Sequence, residues 1–238
     1  APGAYFDSHS ATGNGAVEEP VSDRLGFDDE DEEEARPLHE PFSDEEELVD
    51  NLATCDGIVY LFDPIREWKD GDAYRYFHRT FLKVAQRAMQ SGRLVNARLP
   101  HYLAVCITKF DEPKVYLTAR RRGYLTYDMT DPHLFPRVHE DAAEHLFRDL
   151  CRISATGNAE MVRSTIEKYF LPERVRYFAT SAVGFFLGSS ARFRDADFQN
   201  VVPLKDGRTR IRGEVHPINV VEPLLWLGQQ LIDTPGMR

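Results

Sequence analysis

Cysteine is scarce: the 238 residues carry three, and Cys55, Cys106 and Cys151 stand far apart in apolar surroundings. An odd, dispersed set excludes a disulfide framework or a cysteine-rich metal site and leaves reduced core residues. Long apolar runs are missing as well. No stretch approaches the roughly 18 to 20 residues of a membrane span, and the opening residues lack the basic and apolar blocks of a secretory leader. The expected location is therefore the cytoplasm, with no membrane partner. No internal repeat is visible, which excludes a solenoid, and no metal site is expected.

What is present is apolar material in quantity, 42% hydrophobic residues with 15 Phe, 10 Tyr and 2 Trp, enough for a sizeable core. The net charge of -10 comes from one place. Glu18 to Glu47 holds 15 acids against Arg24 and Arg36, which leaves 24 acids and 27 bases elsewhere. The remainder is nearly balanced, and no nucleic-acid partner is expected. The run DDEDEEE, Asp28 to Glu34, repels itself and reads as part of a solvated, disordered loop over 18–42. A sharper alternative is an electrostatic decoy for a basic partner or for nucleic-acid-binding surfaces.

Beyond that loop the pattern alternates. Ser43 and Glu46 form a capping-box spacing ahead of a short helix carrying Leu48, Leu52 and Cys55 on one face. DGIVYLFDP, Asp56 to Pro64, is a continuous apolar run suited to a strand covered on both faces. Tyr74, Phe77, Phe81, Val84 and Ala88 recur at helical spacing across Asp72 to Gln90, and YLAVCIT follows as a second strand. Turn signals dominate RRRGYLTYDMTDPHLFP. Two helices come next, one over Glu140 to Ile153 and one from Gly157-Asn158 through Met161, Val162, Ile166 and Tyr169. RVRYFATSA reads as a third strand, and KDGRTRIRG as a hairpin within the polar stretch 184–215. The last helix is expected to be capped by Asn219 and Glu222 and to bury a stripe of Val221, Leu224, Leu225 and Leu231. Strand and helix alternating in this way imply an α/β fold with a parallel sheet.

In open α/β sheets ligands sit at the carboxyl ends of the strands. Three polar groups leave three strand ends here: Asp63, then Thr108-Lys109-Phe110-Asp111, then Thr180-Ser181-Ala182. A carboxylate at such an end can accept from both N1–H and the 2-amino group of guanine, whereas adenine offers no such donor pair. A lysine two residues earlier can lay its apolar stem along the base. A backbone N–H after Ser181 can donate to the guanine oxygen.

With those residues in view, CDGIVYLFDP, AVCITKFD and RYFATSA resemble the later half of a Ras-like GTPase of the translation-factor-related clade. RLPHYLAVCITKFD, FQNVV and HPINVVEPLLWLG are most similar to the actinobacterial double-GTPase domain family, and the similarity runs from about Asn51 to Leu231. The resemblance implies a three-layer, P-loop GTPase-like α/β domain, of which 43–238 is the C-terminal part with insertions over 112–172 and 184–215. It assigns base reading to Thr108, Lys109 and Asp111, with Ser181 and Ala182 completing the pocket; Thr108 stands where many members carry Asn. It also matches APGAYF to a switch-like segment over 1–17, with Gly3 sensing the terminal phosphate. Ala4 replaces a residue that in many relatives helps orient water.

A phosphate loop needs glycine-curled backbone N–H groups, a Lys, and a Ser or Thr for magnesium. GNGAVEEP lacks the Lys, and KDGRTRIRG lacks the following helix. The first three strands of the resembled fold, the loop, the magnesium Asp and the first switch are absent together, so the sequence is expected to begin partway through a domain. No catalytic residue is assigned, and GTP or GDP with Mg2+ is expected only where the missing half is supplied. Ile58 to Phe62 would then be an apolar sheet edge awaiting another segment or chain, or a helical cover. Two functions follow as expectations: the base-recognition half of a regulatory GTPase-like domain in a bacterial signalling or conflict-type protein, or a nucleotide-free pseudo-GTPase acting as an interaction module.

Other clusters read more plainly. HEDAAEH, His139 to His145, lacks the one-turn His spacing of a zinc helix. Arg120 to Arg122 reads as a solvated run ahead of an arginine finger, and Arg208, Arg210 and Arg212 as one face of an exposed hairpin.

Overall fold

The computed structural model describes residues 41–153 and 157–233. The switch-like segment with Gly3 and nearly all of the acidic loop lie outside the described residues. The first helix, α1 (Pro41–Thr54), begins two residues ahead of the expected Ser43 cap. Strand β1 (Gly57–Phe62) follows, then a short helix α2 (Pro64–Asp70) and the long α3 (Ala73–Gln90). Strand β2 (Tyr102–Ile107) leads to α4 (Pro113–Arg121), the small ladder of β3 (Leu125–Tyr127) with β4 (Pro136–Val138), and helices α5 (Glu140–Ile153) and α6 (Asn158–Tyr169). Strand β5 (Val175–Ala179), the hairpin β6 (Val201–Pro203) with β7 (Thr209–Ile211), and α7 (Glu222–Asp233) complete the chain.

β1, β2 and β5 form one parallel sheet with β2 in the middle, in register from Gly57 opposite Tyr102 and from Leu103 opposite Val175. The fold is thus α/β, a parallel three-stranded sheet with helices on both faces. Because side chains alternate across a strand, Ile58 and Phe62 of β1, Leu103, Val105 and Ile107 of β2, and Ala179 of β5 enter one core with α1, α3, α5 and α6. All six β2 residues are buried, as a central strand of a parallel sheet requires. The opposite face carries a smaller cluster of Tyr102, Ala104 and Phe178 under Leu227 and Trp226 of α7.

The expected stripe of α7 is not buried. Val221 is 57%, Leu224 60%, Leu225 66% and Leu231 42% exposed, while Leu227 and Pro223 face inward. Periodicity marks an apolar face but not what covers it. Asn219 does not cap this helix either: its backbone sits at φ 48°, and its amide donates to the Ala179 carbonyl. Met161, read as part of α6's apolar face, is 45% exposed. Helix α4 went unread because its three buried residues, Val115, Tyr116 and Ala119, occupy barely two turns.

Candidate functional site at the carboxyl ends of the strands

The three strand ends are tied together by backbone chemistry. Thr108 spends both its N–H and its hydroxyl on the Phe62 carbonyl at the end of β1, at 2.9 and 3.0 Å. Thr180 donates its N–H to Ile107, and Phe110 donates to Thr180. Thr108 therefore fixes the rim rather than projecting from it. Asp63 turns at the end of β1 and caps α2, accepting from the N–H groups of Ile65 and Arg66.

Lys109 crosses to that carboxylate, its Nζ lying 2.7 Å from Asp63 Oδ2. Its backbone adopts φ 57°, the left-handed region. A non-glycine residue held there costs about 1–3 kcal/mol, and such residues gather at ligand clamps. The turn is closed by Glu112 donating to the Lys109 carbonyl.

Asp111 is 8% exposed. The Ser181 hydroxyl donates to its Oδ1, and the same Ser181 oxygen accepts the Gly184 N–H at 2.7 Å. Burial pushes the Asp111 carboxyl above the ordinary carboxylate range, and the Ser181 hydroxyl and the Lys109 charge pull it partway back. Glu112 is raised by the same burial, with the Asp111 charge adding to it.

Ser181 exchanges both backbone hydrogen bonds with Ile218, and His216 donates to Val183. Ala182 is exposed, and its N–H makes no hydrogen bond among the described residues. The structure thus brings Lys109, Asp111, Ser181 and Ala182 onto one rim with Asp63, and Thr108 behind it.

Two supports of this rim escaped sequence reading. The segment His216 to Asn219 braces the Ser181 loop from outside, and Gly184 at φ 72° leaves no room for a side chain, since a Cβ would lie 1.9 Å from the His216 carbonyl oxygen. Phe110 packs edge-to-face on Tyr116 and Phe185, which continue into Phe193 and Phe198. Tyr116 donates to Asp195, which also pairs with Arg120. Most of these contacts join residues more than 30 positions apart, such as Gly184 with His216 and Tyr116 with Phe198, and no local pattern announces them.

No family model matches the chain, and neither a curated protein nor a solved structure matches it. The rim must be read from its own chemistry. Two other clusters are engaged in ion pairs: Arg120 with Asp195, Arg122 with Asp149, Arg208 with Asp206 and Arg212 with Asp197. Among the described residues no group of three His, Cys, Asp or Glu side chains is placed to hold a metal ion. No helix among them is long and apolar enough to cross a membrane.

Proposed function

We propose that this rim is the base-reading part of a guanine-nucleotide site in a regulatory, GTPase-like domain acting in the cytoplasm of a bacterial signalling or conflict-type system. The carrying observation is the Asp111 carboxylate, buried at the carboxyl end of a parallel strand and oriented by Ser181. Asp111 accepts from N1–H and the 2-amino group, the Ala182 N–H donates to the guanine oxygen, and the Lys109 stem covers one ring face. The buried polar groups of such a site go unpaired against adenine, a mismatch that can reach on the order of ten-thousandfold discrimination in a closed pocket.

No phosphate loop occurs in the sequence, so phosphate and Mg2+ have to be held by another segment or chain, and no hydrolysis is assigned. Within this chain, recognition rests on base and ribose. Saturation-transfer NMR of the full chain with guanosine, GDP and adenosine is the test. The expected result is saturable guanosine binding at least tenfold stronger than adenosine, with GDP no more than a few-fold different from guanosine. Equal binding of guanosine and adenosine overturns the reading.

The second reading, a nucleotide-free interaction module, is favoured by the apolar outer edge of β1, where Val59 and Leu61 are 38% and 51% exposed.

A further inference from the structure

Asp63 does more than the start of α2 requires. Its Oδ1 accepts both N–H groups of the cap, from Ile65 at 2.9 Å and from Arg66 at 3.1 Å. Asparagine or serine would cap as well. Its Oδ2, and with it the charge, goes to Lys109 Nζ at 2.7 Å. The two side chains are 30% and 47% exposed, and an ion pair so open to water adds little to stability. Lys109 is nevertheless held at φ 57°, and strain of that kind gathers where a ligand is clamped.

The pair sits in a field that is acidic on balance. Glu112 feels the charges of Asp111, Lys109, Asp63 and Lys69, so three carboxyl groups face two lysines across one rim. Lys114, the next base along the chain, lies over the Trp68 ring at 5.0 Å. In the guanine pose the Lys109 stem covers one ring face, and its ammonium reaches past the ring toward the sugar. A phosphate on that sugar is the group that a free ammonium would bind most firmly, through a charge-assisted hydrogen bond. Here the ammonium is already neutralised, and the oxygen that neutralises it turns its own negative charge on any phosphate brought near.

We infer, on the basis of the base reading proposed above, that Asp63 sets the ligand preference of this rim. It fixes Lys109 as a platform for the base and denies the lysine charge to phosphate, so this chain by itself does not favour a guanine nucleotide over uncharged guanosine. Base and phosphate are then read by separate parts, and preference for phosphate comes from whatever segment or chain supplies the phosphate site.

The test titrates guanosine, GDP and adenosine into the full wild-type chain, Asp63→Asn, Lys109→Met and the double variant, followed by saturation-transfer NMR in one low-salt buffer without magnesium. Asp63→Asn keeps the cap and removes the charge. In that variant the ratio of GDP affinity to guanosine affinity should rise at least about fivefold, which is what one exposed charge contact supplies. Lys109→Met keeps an apolar stem without the ammonium, and in its background Asp63→Asn should move the ratio by no more than about twofold. A purely structural Asp63 would lower both affinities together and leave the ratio alone. A ratio that fails to rise in Asp63→Asn, while guanosine still outbinds adenosine, overturns the inference and leaves the base reading standing. An equal rise in the Lys109→Met background also overturns it, because the lysine then plays no part, as does a wild-type chain that already prefers GDP at least tenfold. Equal binding of guanosine and adenosine by the wild-type chain overturns both.

Discussion

Asp111 and His101 show what burial does to single residues of this chain. Asp111 keeps a carboxylate in a nearly closed position where the charged form is disfavoured, and one hydroxyl orients it. His101 is fully enclosed ahead of β2, with Nε2 on the Leu52 carbonyl and Nδ1 without a partner among the described residues. Desolvation lowers its pKa from 6.5 to about 4. Between those values the unfolded chain binds a proton that the folded chain refuses, so stability is present above pH 6.5 and is lost as pH falls toward 4. Denaturant melts from pH 7 to pH 4 should show an acid-side loss on the order of 1–3 kcal/mol from this residue. His101→Phe should flatten that part of the profile while costing about 1 kcal/mol at pH 7 for the hydrogen bond lost at the Leu52 carbonyl, which keeps the Cys55 thiol as a donor. An unchanged acid limb in the variant would remove His101 from the account. The aspartate was legible in the sequence because its type, its place after an apolar run and its neighbour Lys109 are all local. The histidine's role was not, because it depends on α1 nearly fifty residues away.

The loop from Ser181 to Gly184 and the segment His216 to Asn219 act as one element. Their bridge fixes which way Ser181 and Ala182 face, and Gly184 is the residue that allows the close approach. Gly184→Ala introduces both a left-handed strain and a clash with the backbone, so it should lose at least about 2 kcal/mol of stability. Gly207→Ala, also at a positive φ but with open space around it, should lose about 1 kcal/mol. Equal losses in urea melts would contradict the bracing role. Elements whose signal is local periodicity, α3 and α5 above all, were readable to within a residue of their ends, and the sheet was readable as parallel; β1, however, is not covered on both faces, since Val59 and Leu61 are exposed, and β5 stops at Ala179. The hairpin of β6 and β7 was readable in its turn, Asp206-Gly207. The burial of α7 was misread because periodicity fixes an apolar face but not whether the sheet reaches it. The rim residues were readable as strand ends, but the Asp63–Lys109 pair and the aromatic brace from Phe110 to Phe198 were not, since they arise only when distant segments pack.

At the scale of the whole molecule, one end of the sheet gathers polar groups and one edge is left apolar. The reading proposed for the first is that it selects the base of a nucleotide. The central claim concerns the first, and exchanging donor for acceptor at a single atom tests it most directly. Asp111→Asn replaces an acceptor oxygen with an NH2 donor, which opposes the 2-amino group of guanine and suits the 2-oxygen of xanthine. Removing a buried charge should leave the fold intact, with unfolding free energy at pH 7 equal or up to about 1 kcal/mol higher. Titration of the wild-type chain and of Asp111→Asn with guanosine and xanthosine should show guanosine preferred by the first and xanthosine by the second, each by at least tenfold. A substitution that weakens both nucleosides alike, or changes neither, would contradict base reading by Asp111.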